Sequence, residues 1–339
     1  MANIIENPKA YTGNELDTIF FRPMLTGPSA QDLGVKIIYN MPVPNTLNFW
    51  HRNGDVLKRY AKGWTGGALA DKFQKTISLS KVKSEMGYSA QDYFSMIWEQ
   101  ITNSSDVNLD DLTGTELEQA ETKLFQACIA ESIRATMWLG DTTRDGSYMA
   151  FDGFIKNITG QLSEVGVTND NQIRQIEMPD MSELDAAVEL FETLYNTADD
   201  RLTAMKSEGN LKFYVTTDIY RNYEKTLESD TLESHTSALQ NGRASLAWHG
   251  IPIIDVGISS YLTLLEDMPD SFALFTDSRN LALAVNTNSY PGTEIRMWYN
   301  PDEMENRQRA IFMAGTEALL PELMVASFKA KEVEEESEE

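Results

Sequence analysis

Cysteine, histidine and positive charge are all scarce in this chain of 339 residues, and each scarcity removes a class of function. The single cysteine, Cys128, falls inside a helical pattern; a disulfide framework within the chain is excluded, and a reducing, cytoplasmic origin is the simplest reading. The three histidines, His51, His235 and His249, are far apart and share no ligand spacing with one another or with Cys128, so zinc is not expected. His249, between Trp248 and Gly250 and ahead of a strand, reads as a structural or edge residue. Long apolar runs are missing too, and none reaches the roughly 18 residues of a membrane-spanning helix. The start, Met1 to Lys9, has neither the basic nor the apolar region of a secretory signal. Finally, 28 Lys and Arg face 52 Asp and Glu, a formal net charge of −24. Such a chain repels phosphate and lacks the basic footprint of a nucleic-acid binder.

Signatures of catalysis are equally thin. Gly63-Trp64-Thr65-Gly66-Gly67 lacks the Lys-Ser/Thr that completes a phosphate loop, and no Gly-x-Ser-x-Gly elbow occurs. Carboxylate pairs for glycoside hydrolysis arise by chance among so many acids. One near-match to a calcium loop exists, Asp141-x-Thr143-x-Asp145-Gly146 with Asp152 at the twelfth position. Thr143 and Asp152 both depart from the pattern, and Gly153-Phe154-Ile155 reads as a turn and strand where a helix is required. An ordinary Asp-Gly turn is the other reading.

What is present is a globular chain, 42% apolar and 10% aromatic, long enough for one large domain or two. Residues 1–34 sustain no period and read as an arm packed on another surface. Val35–Tyr39 is extended. Gly-rich turns at 53–55 and 63–67 then lead to an alternating return, Phe73 to Val82, which together make a long hairpin that is not stable alone. Residues 51–85 hold eight Lys or Arg against three acids, so this segment is +5 and the rest is −29. A basic arm of this kind pairs with an acidic body or stands as a solvated hairpin without a partner; both readings are open. Helices are expected over Tyr93–Ile101, from about Thr115 to a stop at Gly140, and over Ser182–Lys206, where apolar residues recur every three or four positions. Leu211–Thr216 reads as a strand, followed by a helix from Asp218. The C-terminal third carries short buried strands: Trp248–Asp255, Ser271–Asp277 and Asn280–Val285, then a charged loop and an apolar run from Arg309 to Phe328. The acidic end, 329–339, reads as disordered.

The order of the C-terminal runs resembles the last third of tailed-phage major capsid proteins, whose fold is shared with encapsulins. In that family a "small-Gly-hydrophobic-Pro-hydrophobic" strand precedes a strand ending in Asp, an "Asn-Leu" strand, a charged loop and a terminal strand. The long helix and the basic hairpin stand where the family has its spine helix and extended loop, the E-loop. The resemblance implies an α+β fold with these parts: N-terminal arm 1–34, E-loop 35–85, peripheral domain 86–160 and 288–309, axial domain 161–287 and 310–328, with a central sheet flanked by helices, and a tail 329–339.

It also implies self-assembly into pentamers and hexamers of an icosahedral head around double-stranded DNA. That gives a location in the virion after assembly in the host cytoplasm. The implied partners are further copies of the chain, a separate scaffolding protein, a portal and decoration proteins, without a membrane, cofactor or metal and without enzymatic activity. Only about 34 residues precede the hairpin, hence the expectation that scaffolding is separate or unnecessary. Trp50, Trp64, Phe73 and Ile77 are the expected apolar contacts between subunits, with Arg52, Lys58, Arg59 and Lys62 meeting acidic patches; a local cluster at the hairpin's own base is the other reading of the aromatics. Some family members cross-link a Lys to an Asn beside a Glu, and Lys58, Lys62, Lys72, Asn300, Asn306, Glu303 and Glu305 supply those residue types, but no such roles are assigned. The alternatives are an encapsulin-like shell around protein cargo and, in another class, a soluble carbohydrate-active enzyme or binding module.

Overall fold

The computed structural model describes residues 30–41, 45–52, 60, 62, 70–89, 116–169, 171–229, 246–286, 295–303 and 305–331. The helix expected over Tyr93–Ile101, most of the N-terminal arm and nearly all of the acidic end lie outside them. In chain order the main elements are β1 (Lys36–Ile38), β2 (Asn45–Arg52), β3 (Ala70–Ile77), β4 (Ser80–Ser89), α1 (Glu116–Leu139), α2 (Phe154–Thr159), β5 (Arg174–Ile176), α3 (Ala186–Thr197), α4 (Asp200–Ala204) and β6 (Leu211–Val215). They continue with α5 (Thr217–Ser229), β7 (Ala247–Trp248), β8 (Ile251–Asp255), β9 (Ser271–Asp277), β10 (Leu281–Val285), β11 (Ile295–Asn300), β12 (Glu305–Ala318) and β13 (Met324–Lys329). The architecture is α+β.

Two sheets share one core. The first has the order β1-β10-β12-β11, with β4 pairing β12 along its other edge; the second has the order β5-β13-β9-β6-β8-β7. The central strands of the second sheet, β9, β6 and most of β13, are buried on both faces, which is why they read as continuous apolar runs in the sequence. Their side chains alternate between two cores. Tyr214, Phe272, Leu274, Met324 and Ala326 face the core shared with α1 and the first sheet. Phe213, Val215, Ala273, Phe275 and Val325 face the core capped by α3 and α5, with Leu190, Phe191, Leu194, Ile219 and Tyr223.

The C-terminal half of the long helix α1 packs into that shared core. Phe125, Ile129, Ile133 and Met137 form a stripe at three- and four-residue steps, and Trp138 is fully buried against Phe154, Tyr214 and Phe272, with ring centroids 5.2, 6.0 and 5.7 Å away. Gly140 ends the helix for a steric reason. A Cβ there would lie 2.1 Å from the Phe151 carbonyl oxygen, and one on Gly153 would lie 2.6 Å from the Gly140 nitrogen. The two glycines let the ends of the 141–152 loop touch, sealed by the Gly153 N–H donating to the Gly140 carbonyl at 2.8 Å.

Three expectations are corrected. Gly153-Phe154-Ile155 opens the helix α2, not a strand, because Phe154, Ile155 and Ile158 bury one helical face in the core. The single helix expected over Ser182–Lys206 is broken. Asp185 stands in a left-handed conformation before α3, Ala198 is extended, and Asp199 caps α4 by accepting from the Arg201 N–H while binding the Arg174 guanidinium at 3.2 Å. The run Arg309–Phe328 is two strands. Pro321 separates β12, in the first sheet, from β13, in the second. β10 and the whole of β12 belong to the first sheet.

Candidate assembly surface

The hairpin β2–β3 is a two-stranded sheet of its own. Its strands pair antiparallel over eight residues, with Phe49 opposite Phe73, Trp50 opposite Lys72 and Arg52 opposite Ala70, and among the described residues they pair with no other strand. A two-stranded ribbon alone is marginal in water, so its root must supply the hold. Ile77 does this: it is fully buried with Met41, Ala282, Ala284 and Leu319. Beside it the Lys75 ammonium contacts Glu317 Oε1 at 3.1 Å and donates to Gln161 Oε1 at 2.9 Å, while Gln161 Nε2 donates to Glu317 at 3.1 Å. Where the chain passes from β3 to β4, the Ser78 carbonyl presses onto Gly315, whose imagined Cβ would lie 2.0 Å from that oxygen. A side chain at 315 would push the root off β12. Gln74, Thr76 and Lys62 are exposed, and Tyr60 is 94% exposed.

The expected contact residues divide accordingly. Ile77 is fully buried in the chain's own core. Trp50, Arg52 and Phe73 sit in the paired strands, Lys62 is exposed, and Lys58, Arg59 and Trp64 lie outside the described residues.

A second exposed surface escaped the sequence reading. β4, β12 and β11 form a three-stranded antiparallel blade. Along β12, Asn306, Gln308, Ala310, Phe312 and Ala314 are buried, while Arg307, Arg309, Ile311 and Met313 point the other way. The register sets Lys81, Lys83, Glu85 and Gly87 beside Met313, Ile311, Arg309 and Arg307, with Arg296 and Trp298 on the other flank. Lys81 and Lys83 belong to the basic segment visible in the sequence, so that segment splits between hairpin and blade. The other three cations lie more than 200 residues away, and only strand pairing brings them alongside.

The calcium-like loop closes on a side chain of its own. Lys156 Nζ lies 2.6 Å from Asp141 Oδ1 and 2.7 Å from Asp152 Oδ1, and the Thr142 and Thr143 hydroxyls and N–H groups complete the two carboxylates' partners. Partial burial raises the Asp141 carboxyl, but the Lys156 ammonium and the Thr143 donors outweigh it and hold the group at about 2. Among the described residues, no group of three or more His, Cys, Asp or Glu is placed to hold a metal. His249 occupies a two-residue turn with Gly250, both at positive φ, its ring 4.2 Å from that of Trp248.

Solved structures share this arrangement of sheets and helices over most of the chain. The capsid of Myoviridae phage XM1 superposes with a TM-score of 0.53 at 10% identity, covering 90% of this chain and 92% of that one. The fold is that of tailed-phage capsid proteins. A chain of Gordonia phage Cozz (TM-score 0.52, 12% identity, 98% and 92% covered) shares it. So does one from the procapsid of satellite phage P4, a particle that includes the size determination protein Sid (0.51, 9%, 93% and 99%). No family model and no curated protein matches the sequence.

Proposed function

We propose that this chain is a major capsid protein that assembles through pentamers and hexamers into the icosahedral head of a tailed phage, enclosing double-stranded DNA. The observation that supports this most is the hairpin within the capsid fold: an eight-residue ribbon, bolted at its root by Ile77 and Lys75, that pairs with no other strand among the described residues. In an assembly the ribbon lies over the next copy and buries there what one subunit cannot, and many weak contacts around a ring then add up. On this reading Trp50, Trp64 and Phe73 are the apolar contacts, and Arg52, Lys58, Arg59 and Lys62 meet acidic surface. The role is structural, without catalysis, cofactor or metal, and the site of action is the virion after assembly in the host cytoplasm. A separate scaffolding protein, a portal and decoration proteins are the expected partners. The DNA is enclosed without sequence-specific contacts, in keeping with a net charge of −24.

The test is size-exclusion chromatography with negative-stain electron microscopy on the protein expressed alone and with a scaffolding protein. Shells, or rings of five and six subunits, support the proposal. A monomer under both conditions contradicts it, and shells filled with co-purified protein cargo point to an encapsulin-like compartment instead.

A further inference from the structure

The outward face of the β4–β12–β11 blade is the reverse of the molecule in charge. Lys81, Lys83, Arg296, Arg307 and Arg309 stand together against Glu85, Glu305 and the turn residue Glu303, in a chain whose acids outnumber its bases nearly two to one. The face is not a scatter of solvated charges. The Arg309 guanidinium lies 5.6 Å from the centre of the Trp298 ring and pairs with Glu85 at 2.5 Å, and Lys83 holds the same carboxylate at 2.7 Å. Glu303 and Glu305 steady Arg307. Two apolar side chains break the polar surface, Trp298 at 37% and Ile311 at 46% exposed. The result is a flat sheet face with cations held in fixed places around an indole.

The complementary element is written at the end of the same chain. Residues 332–339 read Glu-Val-Glu-Glu-Glu-Ser-Glu-Glu, six carboxylates and one apolar side chain. Their point of departure is fixed: the Lys331 ammonium donates to the carbonyls of Leu262 and Leu265, each at 2.9 Å, and reaches that of Thr263 at 3.4 Å. We infer that the basic face of the blade is the docking surface for the acidic C-terminal segment of a neighbouring copy. Glutamates bridge Lys81, Lys83 and Arg296 along the face, and Val333 meets Ile311 or Trp298. The contact is electrostatic, strengthens as salt falls, and ties copies that the hairpin does not reach. The choice of a second copy as the donor rests on the assembly reading above.

Zero-length carbodiimide cross-linking tests this, because it joins only a Lys amine and a carboxylate in direct contact. Assemblies are formed from an equal mixture of ordinary and nitrogen-15-labelled full-length chains and mapped by mass spectrometry. The expected result is a link from Glu332–Glu339 to Lys81 or Lys83, with mixed-label pairs as frequent as same-label ones. In parallel, Lys81→Glu with Arg296→Glu should lower the salt concentration at which the particles dissociate while leaving the subunit's melting temperature unchanged. Particles that form normally but show the segment linked only elsewhere, or only within one copy, overturn the inference and leave the assembly reading standing. A chain that forms no particles at all overturns the assembly reading, and the inference with it.

Discussion

Asp141 is the residue whose chemistry makes the plainest forecast. Its carboxyl is held at about 2, below the ordinary 3.8, so its contribution to stability is complete above about pH 4 and is lost as the pH falls through about 2. Melting curves between those limits should fall more steeply for the native protein than for Asp141→Asn; equal slopes would show that the lock on Lys156 carries no folding energy. Gly315 makes a steric forecast. With the Ser78 carbonyl 2.0 Å from where its Cβ would be, Gly315→Ala should destabilise the subunit by about 3 kcal/mol, the upper part of the overpacking range, measured by urea denaturation. A neutral result would mean that the hairpin root slides freely on β12. Some of these roles were beyond reading from the sequence. Asp141 and Asp152 show calcium-like spacing, and nothing local says that Lys156, on the helix that follows, fills the gap between them. Ile77 has the alternation of an exposed ribbon, yet it stands at the residue where the ribbon enters the core.

At the scale of elements, α1 was legible because its two signals agree: an apolar stripe from Phe125 to Met137, and a glycine where the chain must turn back on itself. The buried strands β6, β9 and β10 were legible because a sheet packed on both faces needs an unbroken apolar run. The break at Ala198 was not. Its apolar period continues through the gap, and the interruption comes from Asp199 capping α4 and meeting Arg174, a partner 25 residues away. The packing of α1 predicts that Trp138→Ala, which empties the space among Phe154, Tyr214 and Phe272, costs about 3–5 kcal/mol in equilibrium unfolding. The hairpin predicts the opposite balance. Reversing Lys58, Arg59 and Lys62 together to Glu should leave the subunit's unfolding free energy within about 0.5 kcal/mol of the native value and abolish particle formation. Loss of both would assign the ribbon to the subunit's own fold.

For the whole molecule, the sequence revealed a basic segment on an acidic body, and the fold places one end of that segment, Lys81 and Lys83, on the blade and Arg52 and Lys72 in the hairpin strands. Chain crossing explains why. Residues 305–318 lie between partners drawn from 80–89, 281–285 and 295–300, a neighbourhood set by strand register alone. Assembly through charge should respond to salt, with particle yield falling as sodium chloride rises from 0.1 to 1 M and the screening length shrinks from about 10 to 3 Å. The central claim is that the hairpin completes its burial on another copy. Electron cryomicroscopy of assembled particles tests it most directly. The account predicts β2–β3 of each subunit lying across its neighbour, with Trp50 and Phe73 at the contact and the tip charges on acidic surface. Particles in which the hairpin contacts only its own subunit would contradict it.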